Sequence, residues 1–229
     1  MGITERKQRD RERRVNEILD AAMRVFLERD ISGTTVDAIA NAAEISKGTI
    51  YLYFKSKEEI AYALMLRDFR DVLAQLRERV SSAENALEGL ITLARSYLDG
   101  ARSEPQKFKL AYRIHRHFHN NIEEALKGME ENEYGRQLLS MTDEFAAFIG
   151  AIITRGMEDG SMREDLDPKY TSMLVSGMLD GMLENLPLSS NPEFAAKMEA
   201  KWGVRAEALA EYSLNFIRHA LQNPTKETV

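Results

Sequence analysis

Cysteine is absent from the 229 residues. That one gap removes disulfides, thiolate nucleophiles and cysteine-ligated metals together, and it fits a reducing compartment. The amino-terminal stretch "MGITERKQRDRERR" has no apolar core of the kind a signal peptide needs, and no apolar run approaches eighteen residues, the length a membrane-spanning helix requires. A soluble, cytoplasmic protein without a membrane partner is expected. The motifs of common enzyme classes are also missing: no H-E-x-x-H, no G-x-S-x-G, no Walker loop and no G-x-G-x-x-G. Four histidines without cysteine leave few ways to pair a nucleophile with a base, so no catalytic residues and no cofactor are expected.

A net charge of −6 argues against nucleic-acid binding only if charge is spread evenly. Residues 1–60 hold eleven basic and eleven acidic side chains, leaving twenty against twenty-six for 61–229. Six of the first fourteen residues are Lys or Arg against three acids. The chain is thus a charge-balanced head with a basic tip, followed by an acidic body. The basic tip reads equally as a phosphate-seeking arm and as a frayed, solvated end.

Apolar residues recur at helical spacing throughout, no segment alternates as a strand would, and there is no repeat or low-complexity linker. The fold class expected is all-α, about nine helices, with a helix-turn-helix domain over 1–60 and a larger helical domain over 61–229. Val15, Ile18, Leu19, Ala22, Val25 and Phe26 make one face of a first helix. Thr34 is placed to cap a short second helix, with Asp37 three residues on. After the turn "EIS", Ser46 caps a short third helix, "KGTIYLYF", and Ser56 with Glu59 forms the capping box of a long fourth helix ending near Val80. Five further helices are expected. One starts at Ser81 and Glu84 and stops near Gly100. One starts at Pro105, one ends at Gly160, one runs from Asp167 and Pro168 to Pro187, and one covers about 203–222.

The stretch "KGTIYLYFKSKEE" places two tyrosines beside three lysines. In a helix-turn-helix the second helix enters the major groove and its first residues reach base edges. Gly48 then removes a side chain where backbone approaches DNA. Lys47 donates to guanine acceptors, Thr49 meets a base edge or a thymine methyl, Ile50 and Phe54 pack inward, and the tyrosine hydroxyls with Lys55 and Lys57 grip phosphates. The starts of helices two, three and four are further phosphate sites.

"TTVDAIANAAEISKGTIYLYFKSKEEI" resembles the DNA-binding signature of the tetracycline-repressor (TetR) family of bacterial transcriptional regulators, and "ILDAAMRVFLERD" resembles its first helix. The strong resemblance covers roughly residues 14–62. It implies a homodimer with two amino-terminal heads on double-stranded operator DNA and a carboxy-terminal domain that binds a small effector. By position it assigns Thr35, Tyr51, Tyr53 and Lys57 to phosphates and Lys47, Gly48 and Thr49 to bases. The full DNA-facing set expected is therefore Thr34, Thr35, Ser46, Lys47, Gly48, Thr49, Tyr51, Tyr53, Lys55 and Lys57. Two positions depart from the family pattern: Asp30 and Glu44 stand where glycine is usual. A side chain held in left-handed geometry costs about 1 kcal/mol, so these turns are expected to be strained or differently shaped.

Elsewhere, His115 and His119 are four apart on one helix face, but no carboxylate has matching ligand spacing, so they read as polar pocket or surface residues rather than a metal pair. Gly177, Gly181, Met173, Met178 and Met182, with Leu209, Tyr212, Phe216, Ile217 and Ala220 on the last helix, fit a four-helix interface between two copies. Phe108, Tyr112, His115, Met141, Phe145, Phe148 and Ile152 are the expected lining of a largely hydrophobic effector site. The reading is a ligand-responsive regulator, more in keeping with a repressor than an activator. Its alternative is a constitutive DNA-binding or adaptor protein with no effector.

Overall fold

Each short helix of the amino-terminal segment begins where a hydroxyl accepts an otherwise unpartnered amide. The computed structural model describes residues 3–119, 122–185 and 192–224. There α1 spans Ile3–Arg29, α2 Val36–Ala42, α3 Lys47–Tyr51 and α4 Lys57–Ser81. Thr35, not Thr34, caps α2, its hydroxyl oxygen accepting the Ala38 N–H at 3.2 Å. This corrects the expected cap by one residue and moves Asp37 out of capping-box register. Ser46 caps α3 as expected, accepting the Thr49 N–H at 3.0 Å. The Ser56 hydroxyl accepts the Glu59 N–H at 3.1 Å, and the Glu59 carboxylate accepts the Lys55 N–H. The first is the capping-box bond, and the second reaches one residue ahead of the cap.

The two positions that lack the usual glycine keep left-handed geometry: φ is +59° at Asp30 and +56° at Glu44. Glu44 follows the last turn of α2, where its N–H donates to the Asn41 carbonyl and the Ile45 N–H reaches back to Ala40. This is the paired closure that a residue of positive φ permits. The backbone shape is therefore kept, and side chains bear the strain. Gly33 has a different task, since a Cβ there would stand 2.5 Å from the Arg29 carbonyl oxygen.

The remaining helices are α5 (Ala86–Ser103), α6 (Pro105–His119), α7 (Ile122–Glu131), α8 (Glu133–Glu158), α9 (Pro168–Asn185), α10 (Pro192–Trp202) and α11 (Ala206–Leu221). Among the described residues there are eleven helices and no strand beyond one isolated bridge, Met162 to Gln222. The two helices beyond the nine expected are α7, cut off from α8, and α10, in a stretch where none is expected. Asn132 separates α7 from α8, accepting the Gly135 N–H on its side-chain oxygen at 3.1 Å. Gly203, at φ +66°, separates α10 from α11. Asn85 rather than Ser81 caps α5, so α4 runs on to Ser81. The expected stop at Pro187 lies outside the described residues.

Residues 1–69 with 109–141 form one unit, and 70–108 with 142–229 form a second. The expected boundary at 60/61 falls inside α4, and the first unit also takes in most of α6, all of α7 and the start of α8. The core of the first unit contains Ile18, Leu19, Ala22, Val25 and Phe26 from α1, Ile39 and Ala40 from α2, Ile50 and Phe54, and Ile60, Ala61 and Leu64 from α4. Leu110, Ile114, Phe118 and Leu138 close it. Truncating one such aromatic costs about 3–5 kcal/mol, so this interior fixes the short helices more firmly than their own propensities could.

The second unit is built on Leu90, Leu93, Ala94, Ile149, Ile153, Val175, Leu179, Leu214 and Ile217. Arg95 clasps Glu211 with two hydrogen bonds, and Arg218 clasps Glu88. The Arg218 guanidinium, chiefly through hydrogen bonding, holds the Glu88 carboxyl below its usual range.

Candidate nucleic-acid interface

The geometry around α3 follows from which of its residues the core claims. Ile50 and Phe54 are wholly buried, as their spacing predicts. Their burial turns Gly48, Tyr51 and Leu52 outward, and Lys47 stands exposed at the first position of the helix. Tyr51 is half exposed, while Tyr53 lies partly buried against the core with the Arg11 guanidinium 5.3 Å from its ring centroid. Lys55 is exposed. A Cβ at Gly48 would meet only the Ser46 hydroxyl, at 3.7 Å. Nothing inside the chain demands a glycine there.

Lys47 reaches back to α2, its ammonium donating to Asp37 at 2.7 Å. The Asp37 carboxylate, by hydrogen bond first and charge second, raises the Lys47 pKa above its ordinary value. Both groups are exposed, so the lysine stays charged and can exchange one oxygen acceptor for another. The Thr49 hydroxyl shares a 2.8 Å hydrogen bond with Ser46, so both side chains stand at the leading end of α3.

Two further members of the expected DNA-facing set are engaged within the head. Thr34 is buried, its hydroxyl donating to the Asp30 carbonyl at 2.5 Å. Lys57 donates to three carbonyl oxygens, Ile31 at 2.7 Å, Thr34 at 3.0 Å and Ser32 at 3.1 Å. An ammonium has three hydrogens, and all are taken by the loop between α1 and α2. Carbonyls at a helix end and in a tight loop want donors, and Lys57 at the start of α4 supplies three, the Ile31 carbonyl accepting the Thr34 N–H as well. The sequence motif could not separate this staple from a phosphate contact.

Residues outside the motif also shape the head. The Arg113 guanidinium donates to the Phe26 and Leu27 carbonyls at 3.0 and 2.5 Å, and it stands 3.1 Å from the Asp30 carboxylate. His117 shares a hydrogen bond with the Ser32 hydroxyl at 3.2 Å. Arg67 ties α4 to α1 through Asp20 at 2.8 Å. None of these long-range partners has a spacing signal in the sequence. Leu52 does carry one: an apolar residue flanked by the buried Ile50 and Phe54 at non-matching phase must face out, and it is 74% exposed.

The expected effector lining is divided. Phe145, Phe148 and Ile152 lie together in or against the core of the second unit, and Arg77 sits 5.7 Å over the Phe148 ring. Phe108 meets Tyr97 edge-on at 5.5 Å and packs tightly on Gly100. Met141 is buried and belongs to the first unit. The side chains of Tyr112, His115, His119 and Met182 lie outside the described residues. No trio of His, Cys, Asp or Glu among the described residues is placed to hold a metal ion, and no described helix is long and apolar enough to cross a membrane.

Two short helices at a tight turn, the second exposing glycine, lysine and tyrosine, define a helix-turn-helix DNA-binding head. Residues 18–64 match the model of the family described as bacterial regulatory proteins, tetR family. The HTH-type transcriptional repressor KstR2 of Rhodococcus jostii (strain RHA1) is 31% identical over 67% of this chain and 70% of its own. The fatty acid metabolism regulator protein of Bacillus subtilis (strain 168) is 28% identical over 72% of this chain and 78% of its own. The solved structure of the transcriptional regulator FadR from Bacillus subtilis in complex with stearoyl-CoA covers 88% of this chain and 96% of its own, with TM-score 0.64 and 21% identity. The chain belongs to the TetR family and is a DNA-binding transcriptional regulator.

Proposed function

We propose that the protein is a homodimeric, cytoplasmic repressor that leaves its operator when a long, largely hydrophobic acyl-coenzyme A binds in the second unit. The observation that carries the DNA half is the leading end of α3. There Lys47 and Thr49 flank a glycine that the fold itself does not require. Lys47, Gly48 and Thr49 meet base edges. Thr35, Ser46, Tyr51, Tyr53 and Lys55 hold the backbone, and Lys57 and Thr34 support them from behind. The effector half is supported by the apolar group of Phe145, Phe148 and Ile152 and by the titles of the similar proteins, a fatty acid metabolism regulator and a FadR bound to stearoyl-CoA.

The dimer is supported by helices that are apolar on two sides. On α11, Leu214, Ile217 and Leu221 face the core while Tyr212 and Phe216 are exposed; on α9, Val175 and Leu179 face inward while Tyr170, Met173 and Leu174 are exposed. Gly177 extends the outer stripe of α9 with open space above it. Ile217, expected in the interface, belongs instead to the core. Exposed apolar stripes on adjacent helices mark an interface, and two half-sites about one DNA turn apart need two heads.

Coupling runs through the chain itself, because α4, α6 and α8 each contribute residues to both units. A coupling free energy of about 1–3 kcal/mol changes operator affinity roughly 5- to 150-fold. The test is to select an operator from a randomised duplex pool and then titrate the protein–DNA complex with stearoyl-CoA, using free stearate and coenzyme A as controls. Release by the thioester alone is expected. Affinity for selected DNA that none of the three alters would sink the effector half.

A further inference from the structure

The first turns of α1 are basic as a list of residues, and the helix sets where each charge points. The first apolar residue of α1 to pack on the core is Val15. Residues 3–13 therefore project about 16 Å beyond it at 1.5 Å per residue. Arg11 lies over the Tyr53 ring, which fixes which side of this extension faces the α3 region. At about 100° per residue, Lys7 and Arg14 fall within roughly 60° of Arg11, while Glu5, Asp10, Glu12 and the following Glu17 lie about 100° or more away, as do Arg6, Arg9 and Arg13. Gln8 and Thr4 complete the face. The acids have partners around the sides: Glu12 accepts from Gln8 at 2.8 Å, Asp10 stands 3.7 Å from Arg13, and Glu17 accepts from Arg14 at 2.6 Å.

We propose that this extension is a second DNA-contacting element of the head, its Lys7–Arg11 face lying along duplex phosphates that flank those held by α3. The proposal rests on the head binding DNA as set out above, and it adds a contact that the helix-turn-helix does not contain. Arg11 serves two ends: its guanidinium caps the Tyr53 ring, a cation–π contact, and so holds the extension against the same surface. Lys7, one turn earlier on that face and exposed, supplies charge where the next phosphates pass. Such contacts carry no base information and add affinity for any sequence.

Because the contact is to phosphate, no operator is needed to test it. Binding of the full chain to a 40-base-pair duplex of arbitrary sequence is followed by fluorescence anisotropy across a potassium chloride series, for the wild type, Lys7→Ala, Lys7→Glu and Lys55→Ala. Each phosphate contact removed lowers the slope of log K against log salt by about one. Lys7→Ala is expected to lower it by about one and Lys7→Glu by more, with unchanged thermal unfolding. A slope unchanged in both Lys7 variants while Lys55→Ala lowers it overturns the arm and leaves the head's function standing. Failure of the wild type to bind any duplex, selected or arbitrary, overturns both.

Discussion

Replacing Lys57 with alanine separates two roles that the sequence alone leaves indistinguishable. As a phosphate contact, Lys57 would matter only on DNA; as a staple, it matters with no DNA present. Its ammonium donates three hydrogen bonds of 2.7, 3.0 and 3.1 Å to the loop that joins α1 to α2. A hydrogen bond from a charged group contributes about 1.5–3 kcal/mol, and an unsatisfied buried acceptor costs about 1–3. The three share one cation, however, and the Ser32 carbonyl is exposed, so water takes over part of the loss. A total near 2 kcal/mol is expected, roughly a thirtyfold rise in the unfolding constant. Urea unfolding at fixed protein concentration measures it through the midpoint, with Lys55→Ala as the exposed control that should change stability by less than about 0.5 kcal/mol. On arbitrary-sequence duplex the salt slope of Lys57→Ala should match the wild type once the protein is folded. A slope lower by about one, with an unmoved urea midpoint, would show that the lysine faces phosphate and that the staple reasoning is wrong.

Gly48→Ala should strengthen the fold and weaken the function. A helical alanine gains about 0.5–1 kcal/mol over glycine and meets only the Ser46 hydroxyl, while operator affinity measured by anisotropy should fall at least tenfold; unchanged affinity would place DNA elsewhere. Glu44→Gly should raise the urea midpoint, because relief of a left-handed side chain, about 1–2 kcal/mol, exceeds the entropy that glycine adds to the unfolded chain, about 0.4–1; a loss of stability would refute the strain. Burial first, then Glu58 and Glu124, pushes the Tyr62 hydroxyl up to about 12. The folded state therefore holds its proton more tightly than the unfolded chain does, so stability is full below pH 10 and falls by about 2–3 kcal/mol as pH rises to 12. Tyr62→Phe should flatten that alkaline limb in denaturant titrations.

The parts of this protein legible in its sequence are those written in local chemistry. Ser46 and the Ser56–Glu59 box mark helix starts because a hydroxyl three residues ahead of an amide can do little else. Ile50 and Phe54 had to face inward once α3 was helical. Asp30 and Glu44 also declared themselves, as side chains where a turn wants glycine. Legibility ends where partners are distant. Nothing near Thr34 says that its hydroxyl turns to Asp30 and leaves the cap to Thr35. Nothing near Lys57 says that three carbonyls more than twenty residues upstream take its hydrogens. The grouping of residues 109–141 with the head depends on Leu110, Ile114, Phe118 and Leu138 meeting a core assembled from α1 to α4, a relation no periodicity encodes. The break at Asn132 was missed because "EENEYG" reads as uninterrupted helix until a side-chain cap is seen in place.

The double apolar banding of α11 has a thermodynamic corollary. In the proposed dimer, association would remove the penalty a protomer carries by leaving Tyr212 and Phe216 in water, so the melting temperature should climb with protein concentration rather than stay fixed. Dilution then becomes a perturbation in its own right: at scarce copy number the lone chain would be the less durable species, and abundance itself would help decide how much working repressor a cell possesses.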